Sequence, residues 1–223
     1  MLLEGKKGLV LNVVNKNSIG WAIAEAAAAH GAKVGVGAQN DRMLEGVNKL
    51  IGDNKAFTPF VVDFSEDAQL EALAEQVKKV YGKVDFVVHS AAYANREDLV
   101  GRFIDPSRDG FATARDISAF SLVALCRALE PVINDGGSVM ALSYLGSTRA
   151  AGNYNVMGVA KAALESAVRY LAQDMGPRDI RVNTLSPGPI NTVAARGVKD
   201  LGKMIEHVQE KGFLASPFGQ TEV

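Results

Sequence analysis

The fold of this chain is decided by residues 138–161, which read SVMALSYLGSTRAAGNYNVMGVAK. The apolar run 138–142 predicts a buried strand, and the alanine-rich segment 155–175, which has few helix breakers, predicts a long helix. Lys161 follows Tyr154 by seven positions, and at about 100° per residue the two side chains share one helix face. Tyr144 lies where the strand ends and can approach them from the sheet. A solvated amphipathic pair would have the same spacing, so the rest of the chain must decide between a site and a surface.

Composition, charge and cysteine content exclude several classes of protein. The 223 residues suffice for one large domain, and 48% of them are hydrophobic, as in ordinary globular proteins. The net charge of -1 gives no reason to expect nucleic acid or a membrane surface as a partner, and no run approaches the roughly 20 apolar residues that span a bilayer. The single cysteine, Cys126, rules out an internal disulfide and fits a reducing cytosol. The three histidines are far apart, which indicates that no metal is bound.

Strands and helices are predicted to alternate along the chain. The expected strands occupy residues 8–14, 32–38, 56–62, 84–89, 138–142 and 180–185. The expected helices occupy residues 19–30, 41–51, 65–81, 111–131, 155–175 and 198–209, and 90–109 is expected to be a long loop. This order predicts an α/β fold, a single Rossmann-like domain whose doubly wound parallel sheet lies between helices in three αβα layers. Ligands bind such folds beyond the carboxyl ends of the strands.

The ends of the first three predicted strands could hold a dinucleotide. Ser18 suits the N-cap of a helix beginning at Ile19, and the free N–H groups of a helix N-terminus favour a pyrophosphate. The G-x-G-x-x-G fingerprint is absent from 12–20, so this turn alone is equally consistent with a simple capped loop. Gln39 stands where many NAD enzymes carry an acidic residue, and no arginine stands directly there, although Arg42 is close, which mildly favours NADH over NADPH. Asp63 could accept a hydrogen bond from an adenine or cap the following helix.

Together these residues resemble the NADH-dependent enoyl-[acyl-carrier-protein] reductases, a divergent branch of the short-chain dehydrogenase/reductase superfamily. The resemblance extends from Leu3 to about Ala215 and is sharpest in SYLG at 143–146, NYNVMG at 153–158 and MGP at 175–177. Further matches are QND at 39–41, ARDIS at 114–118 and GPI at 188–190. Ordinary members of the superfamily use Tyr-x3-Lys, which would need a lysine where Gly158 stands, whereas Tyr-x6-Lys is the spacing of the enoyl reductase branch. The spacing therefore favours a catalytic pair over a solvated one.

The resemblance implies a reduction in two steps. NADH delivers a hydride to the β-carbon of a trans-2-enoyl thioester, and the resulting enolate is protonated at the α-carbon. The residue that matches Tyr154 stabilises the charge on the thioester oxygen, and one such donor is typically worth about 3 kcal/mol. Lys161 matches the lysine that holds the nicotinamide ribose, and we expect its charge to favour phenolate character in a nearby tyrosine. Tyr144 matches a second active-site tyrosine, which helps to place the substrate or relays a proton.

The family's contacts are carried over residue by residue. The predicted catalytic residues are Tyr144, Tyr154 and Lys161. The predicted cofactor-binding residues are Asn12, Ser18, Ile19, Gln39, Asp63, Phe64, Ser90, Ala91, Lys161, Ile190, Asn191, Thr192, Val193 and Ala194. The predicted substrate-binding residues are Ala94, Tyr144, Tyr154, Met157, Val198, Leu201 and Met204. Residues 190–212 are expected to form a loop and helix that cover the acyl chain, although core packing of an amphipathic helix would give the same apolar pattern.

The sequence departs from the family at three points. Asn12 and Ala92 stand where the family usually has glycine. Asparagine tolerates a left-handed backbone, but its side chain crowds the approach of a pyrophosphate. Family members also continue beyond the position of Val223 with a helix, a last parallel strand and glycines beside the cofactor, so residues 1–223 are expected to form one domain without those elements.

Three functions remain open at this point. The first is an NADH-dependent enoyl-acyl carrier protein reductase of fatty acid elongation, which implies acyl carrier protein as the partner, a homotetramer and a cytoplasmic location. The second is another short-chain dehydrogenase/reductase that acts on a carbonyl or hydroxyl group, against which the Tyr-x6-Lys spacing argues. The third is a catalytically impaired NAD-binding homologue.

Overall fold

Six parallel strands form one sheet in the computed structural model, which describes residues 1–192, 202, 205 and 206. The strands are β1 (Lys7–Leu11), β2 (Lys33–Ala38), β3 (Phe57–Val61), β4 (Val84–His89), β5 (Ile133–Leu142) and β6 (Arg181–Leu185). They follow the order β3-β2-β1-β4-β5-β6 across the sheet, and each neighbouring pair is parallel. This is the doubly wound Rossmann order, so the predicted fold class is confirmed.

Helices cover both faces of the sheet. They are α1 (Ile19–Ala29), α2 (Asp41–Ile51), α3 (Asp67–Tyr81), α4 (Arg108–Arg115), α5 (Ser121–Leu129) and α6 (Asn155–Met175). Helices α1 and α2 pack on the face that carries Val10 and Val88, whereas α3, α5 and α6 pack on the face that carries Leu9 and Leu11. Successive strand residues point to opposite faces, which is why adjacent residues of β1 enter different halves of the core. Among the described helices, none is long and apolar enough to cross a membrane.

The structure corrects the predicted boundaries of two strands. Strand β1 ends at Leu11 and not at residue 14, because Asn12 takes a left-handed backbone with φ 66° that cannot continue a strand. Strand β5 begins at Ile133 and not at residue 138, and its register against β4 shifts between Val84 and Phe86. The strand residues that the prediction left out include Asp135-Gly136-Gly137, whose composition is typical of a turn.

The predicted helix at 111–131 is divided in the structure. It consists of α4, a π-helical turn over Asp116–Phe120 and α5, and it begins at Arg108. Short 3-10 turns occupy Arg96–Leu99, Glu130–Val132, Leu145–Ser147 and Gly176–Arg178. The predicted helix at 198–209 lies outside the described residues apart from Gly202, Ile205 and Glu206, which are helical.

Candidate active site

The sheet order reverses between β1 and β4, and the two strands end side by side with Leu11 opposite His89. Asn12 follows Leu11, and its side-chain amide donates a hydrogen bond to the Ser90 carbonyl oxygen at 3.3 Å. The Ser90 hydroxyl donates in return to the Leu11 carbonyl oxygen at 2.5 Å. Asn12 and Ser90, the first residues after β1 and β4, therefore connect the ends of the two strands through hydrogen bonds. They lie at the topological switch point, where such folds bind dinucleotides.

The turn from β1 into α1 is held closely against β4. The Ser18 hydroxyl accepts a hydrogen bond from the Trp21 amide at 3.3 Å, which confirms Ser18 as the N-cap of α1. The first-turn amides, including that of Ile19, point out of the helix end toward the switch point. A Cβ atom at Gly20 would lie 2.8 Å from the Ser90 hydroxyl oxygen, so glycine allows this close approach. The helix N-terminus is thus positioned to receive an anion.

The ends of β2 and β3 are joined through their side chains. The Gln39 amide donates to Asp63 Oδ2 at 3.0 Å, while Asp63 Oδ1 accepts from the Ser65 amide and hydroxyl at 2.9 and 2.7 Å. Burial raises the pKa of the Asp63 carboxyl, but hydrogen bonds from Ser65 and Gln39 outweigh it and hold the pKa below its ordinary value. Asp63 does not cap α3, since Glu66 occupies that position. Gln39 and Asp63 instead form one acceptor-rich pair at the carboxyl ends of β2 and β3.

The three predicted catalytic residues come together at the carboxyl end of β5. Tyr144 lies two residues beyond the strand, and its ring packs edge-on against the ring of Tyr154, with centroids 4.9 Å apart and an interplanar angle of 61°. Tyr154 is the N-cap residue of α6, and Lys161 lies two turns into that helix. The Lys161 ammonium donates to the Leu142 carbonyl oxygen at 2.7 Å. The tyrosine pair and the lysine are therefore linked through the last residues of one strand.

Two glycines make this close packing of the tyrosines possible. A Cβ atom at Gly146 would lie 2.5 Å from Cδ1 of Tyr154, and one at Gly158 would lie 2.9 Å from the Gly146 carbonyl oxygen. Side chains at either position would push α6 away from the turn that follows Tyr144. The lysine of an ordinary Tyr-x3-Lys site would fall at Gly158, so this backbone has no room for that arrangement.

Burial decides the protonation of the tyrosines and the lysine. The pKa of Tyr154 is raised by burial and by the neighbouring Tyr144, and burial also raises the pKa of Tyr144. Burial lowers the pKa of Lys161 to about 8, partly offset by the negative charge of Glu165. The expectation that Lys161 would favour a phenolate was wrong, because burial and the neighbouring Tyr144 both raise the pKa of Tyr154. At neutral pH the site therefore presents neutral phenols beside an ammonium.

Three of the predicted substrate residues, Ala94, Tyr154 and Met157, share a small apolar cluster. Met157 is buried in it with Leu99 and Ala114, and Ala94 and Tyr154 pack against the same group. The long loop after β4 thus contacts the start of α6.

Polar contacts fix the loop that supplies Ala94. Asp98 is buried and accepts from the Ser107 amide at 3.1 Å and from the Asn95 side chain at 3.2 Å, which fastens the loop to the start of α4. The Asn155 side chain donates to the carbonyl oxygens of Val100 and Gly101 at 3.2 and 3.3 Å. The loop is thereby tied to the residue next to Tyr154.

Sequence reasoning missed Glu165. Its Oε1 atom accepts hydrogen bonds from the hydroxyl groups of Ser143 and Ser147, at 2.5 and 2.6 Å. The signal was its position four residues after Lys161, which places both side chains on the same face of α6.

Other predicted residues are placed less directly. Phe64 and Ala91 are buried in the main core, so a cofactor could meet them chiefly through their backbone atoms. Ile190, Asn191 and Thr192 follow β6 without regular secondary structure, and the Thr192 amide donates to the Ile190 carbonyl oxygen at 2.8 Å. Val193, Ala194, Val198, Leu201 and Met204 lie outside the described residues. Within the described residues no group of three or more His, Cys, Asp or Glu side chains could hold a metal ion.

The doubly wound sheet, the helix N-terminus at its switch point and the tyrosine–lysine face of α6 define a nicotinamide-dependent reductase of the short-chain dehydrogenase/reductase type. A family model described as "Enoyl-(Acyl carrier protein) reductase" matches residues 13–223. The chain belongs to this enoyl-(acyl carrier protein) reductase family.

Similar proteins carry the same family name. The chain is 44% identical over 199 residues to enoyl-[acyl-carrier-protein] reductase [NADH] 1 of Rhizobium meliloti, covering 89% of this chain and 73% of that protein. It is 42% identical over 224 residues to the NADH enzyme FabI of Bacillus cereus, covering 100% of this chain and 88% of that protein. The crystal structure of the Bacillus cereus enoyl-acyl carrier protein reductase with NADP+ and indole naphthyridinone superposes with a TM-score of 0.89 at 43% identity, covering 94% of this chain and 82% of that one.

Proposed function

We propose that this chain reduces the trans-2 double bond of an enoyl thioester with NADH, as a step of fatty acid synthesis. The observation that carries the proposal is the edge-on contact of Tyr144 and Tyr154 at the end of β5, beside an α6 helix whose lysine stands at position 161. Gly158 leaves no space for the superfamily's commoner lysine position. The names of the relatives support the same activity.

The residues at the switch point fit a dinucleotide by their chemistry. The amides at the start of α1 suit a pyrophosphate, and Asn12 turns its side chain toward Ser90, which leaves the helix end accessible. The acceptor pair of Gln39 and Asp63 suits the adenosine end, and Gln39 occupies the position at which an arginine would favour a 2′-phosphate. Bound NADH would supply the hydride for the reduction.

Tyr154 is suited to donate a hydrogen bond to the thioester oxygen. Its raised pKa keeps the phenol protonated at neutral pH, so a proton is always present for the oxygen on which negative charge develops. The ring is fixed by Tyr144 on one side and by the Gly146 backbone on another, so the hydroxyl needs little reorganisation. Tyr144 is less buried than Tyr154, and its place at the end of β5 lets it help to position the thioester.

Lys161 is suited to hold the ribose beside the nicotinamide. A pKa near 8 leaves its ammonium charged at neutral pH, and the Leu142 carbonyl oxygen takes one of its three donors. The remaining donors are available for ribose hydroxyls. The apolar cluster around Met157 and Ala94 would receive the first carbons of the acyl chain.

Membership of the family also suggests the carrier of the substrate, the assembly of the enzyme and its location. We take the substrate to be carried by acyl carrier protein, the enzyme to assemble as a homotetramer and the location to be the cytoplasm. The size of the purified protein in solution and its activity with carrier-bound and free thioesters test the first two statements.

One assay tests the proposed reaction against its rivals. The purified chain is mixed with NADH and with either crotonyl or acetoacetyl thioester, and the loss of NADH is followed. We expect oxidation with the crotonyl compound only. Oxidation with the acetoacetyl compound only would assign a carbonyl reductase, and NADH binding without either reaction would assign an impaired homologue.

A further inference from the structure

Two serine hydroxyls converge on one carboxylate oxygen beside the tyrosine pair. Ser143 and Ser147 lie 2.5 and 2.6 Å from Oε1 of Glu165. These are the distances of charge-assisted O–H···O⁻ bonds, and an ionised carboxylate can only accept, so both hydroxyls donate. A glutamate on an open helix face would make no such contacts, which separates Glu165 from an ordinary surface charge.

The two serines lie at the ends of the turn that carries Tyr144. Tyr144 is the N-cap residue of the 3-10 turn Leu145–Ser147, and Gly146 within this turn touches the Tyr154 ring. The Ser147 amide closes the turn on the Tyr144 carbonyl oxygen at 2.9 Å. Ser143 is buried, and its amide donates to the Leu185 carbonyl oxygen of β6 at 2.8 Å. Any movement of the serines would therefore move Tyr144 and Gly146 with them.

Helix α6 holds this turn with two side chains. Lys161 reaches the Leu142 carbonyl oxygen, and Glu165, one helical turn further along, reaches the hydroxyl of the next residue, Ser143. The residues that precede Tyr144 are thus fixed to the same helix that carries Tyr154.

We propose that Glu165 is a positioning residue for the reduction: by binding Ser143 and Ser147 it fixes the turn that sets Tyr144 and Gly146 against Tyr154. The inference rests on the proposed reductase function. Glu165 touches neither of the two phenols in the described contacts, so it acts through the serines.

Glu165 has a second effect through its charge. Among the described residues, the titratable groups around Lys161 are Glu165 on α6, His89 on β4 and the phenols of Tyr144 and Tyr154 at the neighbouring turn. His89 is buried and its pKa is lowered to about 3, and burial raises the pKa of both phenols, so these three groups are neutral at working pH. The carboxylate of Glu165 is therefore the negative charge that opposes the loss of the Lys161 proton.

The role of the hydrogen bonds between Glu165 and the two serines is tested by removing either the carboxylate or both hydroxyls. At about pH 6, where Lys161 stays protonated, we expect Glu165→Ala to lower kcat/KM for crotonyl thioester by about 100-fold, the cost of an active-site group displaced by about 1 Å. NADH affinity should change little. The double variant Ser143→Ala with Ser147→Ala should show a similar loss, and adding Glu165→Ala to it should cause no further loss. Asp174→Asn, an exposed charge change on the same helix, is the matched control and should behave as wild type.

The charge is tested by Glu165→Gln, which keeps an acceptor oxygen for the serines. The pH dependence of NADH binding reports the Lys161 ammonium, and affinity should fall as pH rises through about 8 in the wild type. Removing the negative charge lowers the pKa of Lys161 further, so in Glu165→Gln the fall should move to lower pH. A role confined to packing would leave this profile in place, and Asp174→Asn should leave it in place too.

Hydrogen–deuterium exchange of the 143–148 amides gives a readout that needs no turnover. Exchange should increase in Glu165→Ala and in the double serine variant, but not in Asp174→Asn. The proposal is overturned if Glu165→Ala keeps wild-type kcat/KM and exchange, or if the pH profile of Glu165→Gln does not move. A chain that reduces no enoyl thioester but shows the expected exchange would contradict the proposed function and leave the positioning by Glu165 intact.

Discussion

Burial keeps the phenol of Tyr154 protonated, which makes the residue a hydrogen-bond donor at neutral pH and not a base. We expect Tyr154→Phe to lower kcat by more than 100-fold, since one well-placed oxyanion donor is worth about 3 kcal/mol. NADH affinity should change little, because the ring and its packing on Tyr144 remain. Steady-state kinetics and NADH titration check the two quantities separately.

The matched control for Tyr154 lies on the same helix. Tyr170 is 69% exposed, so Tyr170→Phe removes the same hydroxyl far from the switch point and should leave kcat unchanged. Equal losses in kcat and in NADH affinity for Tyr154→Phe would assign it a structural role.

Lys161 predicts an alkaline limit to NADH binding. Its pKa in the fold is lowered to about 8, so the ammonium is present below that pH and is lost as pH rises through it. We expect kcat/KM for NADH to fall above about pH 8, because this quantity reports ionisations of the free enzyme. The guanidinium of Lys161→Arg stays charged over this pH range, so the variant should not show the fall in kcat/KM above about pH 8. Its NADH affinity should still be lower than that of the wild type, because a guanidinium differs in shape from an ammonium. If the alkaline fall in kcat/KM persists in Lys161→Arg, the titration of another group causes it.

Asn12 holds a left-handed backbone that glycine adopts without strain. Its side chain bonds Ser90 at 3.3 Å, which offsets part of that strain. We expect Asn12→Gly to retain stability and to bind NADH as well as wild type, because the Asn12 side chain already turns toward Ser90 and leaves the helix end accessible. Asn12→Ala should lose about 1 kcal/mol of unfolding free energy, since a Cβ atom at positive φ is unfavourable. Urea unfolding and NADH titration of both variants check this, and weaker NADH binding by Asn12→Gly would show that the amide helps to hold the cofactor.

At the scale of elements, Gly158 controls how closely α6 approaches the turn after Tyr144. Alanine in a helix is normally better than glycine by about 1 kcal/mol, but here its Cβ would meet the Gly146 carbonyl oxygen at 2.9 Å. Overpacking costs about 1–3 kcal/mol, so we expect Gly158→Ala to unfold at lower urea and to lose turnover. Gly152→Ala, where nothing lies within 4 Å of the added atom, is the control. A Gly158→Ala variant as stable as wild type would mean that the helix can shift without harm.

Element types could be predicted wherever one periodic signal dominated. The bounds of α2 (Asp41–Ile51), β4 (Val84–His89) and α6 (Asn155–Met175) agree with their predictions, because each has an unbroken pattern and clear flanking residues. Where backbone geometry overrides composition, the prediction was wrong. Asn12 ends β1 through its positive φ, while Gly136 and Gly137 lie inside β5 although glycines usually mark turns.

Part of the candidate site could be predicted as well, because it depends on local patterns in the sequence. Tyr144, Tyr154 and Lys161 could be grouped from helix periodicity and the end of a strand, which are local properties of the sequence. The role of Glu165 depends on two serines whose turn folds back on the helix, and the burial of Asp98 depends on a loop meeting α4. The tyrosine pKa was misjudged because desolvation is a property of the packed site and not of neighbouring charges alone.

At the scale of the whole molecule, one parallel sheet brings the separate parts of the site to one edge. The anion site at α1, the acceptor pair of Gln39 and Asp63, and the tyrosine–lysine face all follow the carboxyl ends of strands. The chain spans 73% of the length of the Rhizobium meliloti relative and 88% of the length of the Bacillus cereus relative, so it corresponds to most of the sequence of each enzyme.

The fate of the transferred hydride tests the central claim most directly. Crotonyl thioester is reduced by this chain with NADH that carries deuterium at the transferred position, and the product is analysed by mass spectrometry and NMR. The account predicts a saturated butyryl thioester with one deuterium on the β-carbon and a solvent proton on the α-carbon. Deuterium on a hydroxyl-bearing carbon with a ketone substrate, and none on the β-carbon with crotonyl thioester, would contradict it.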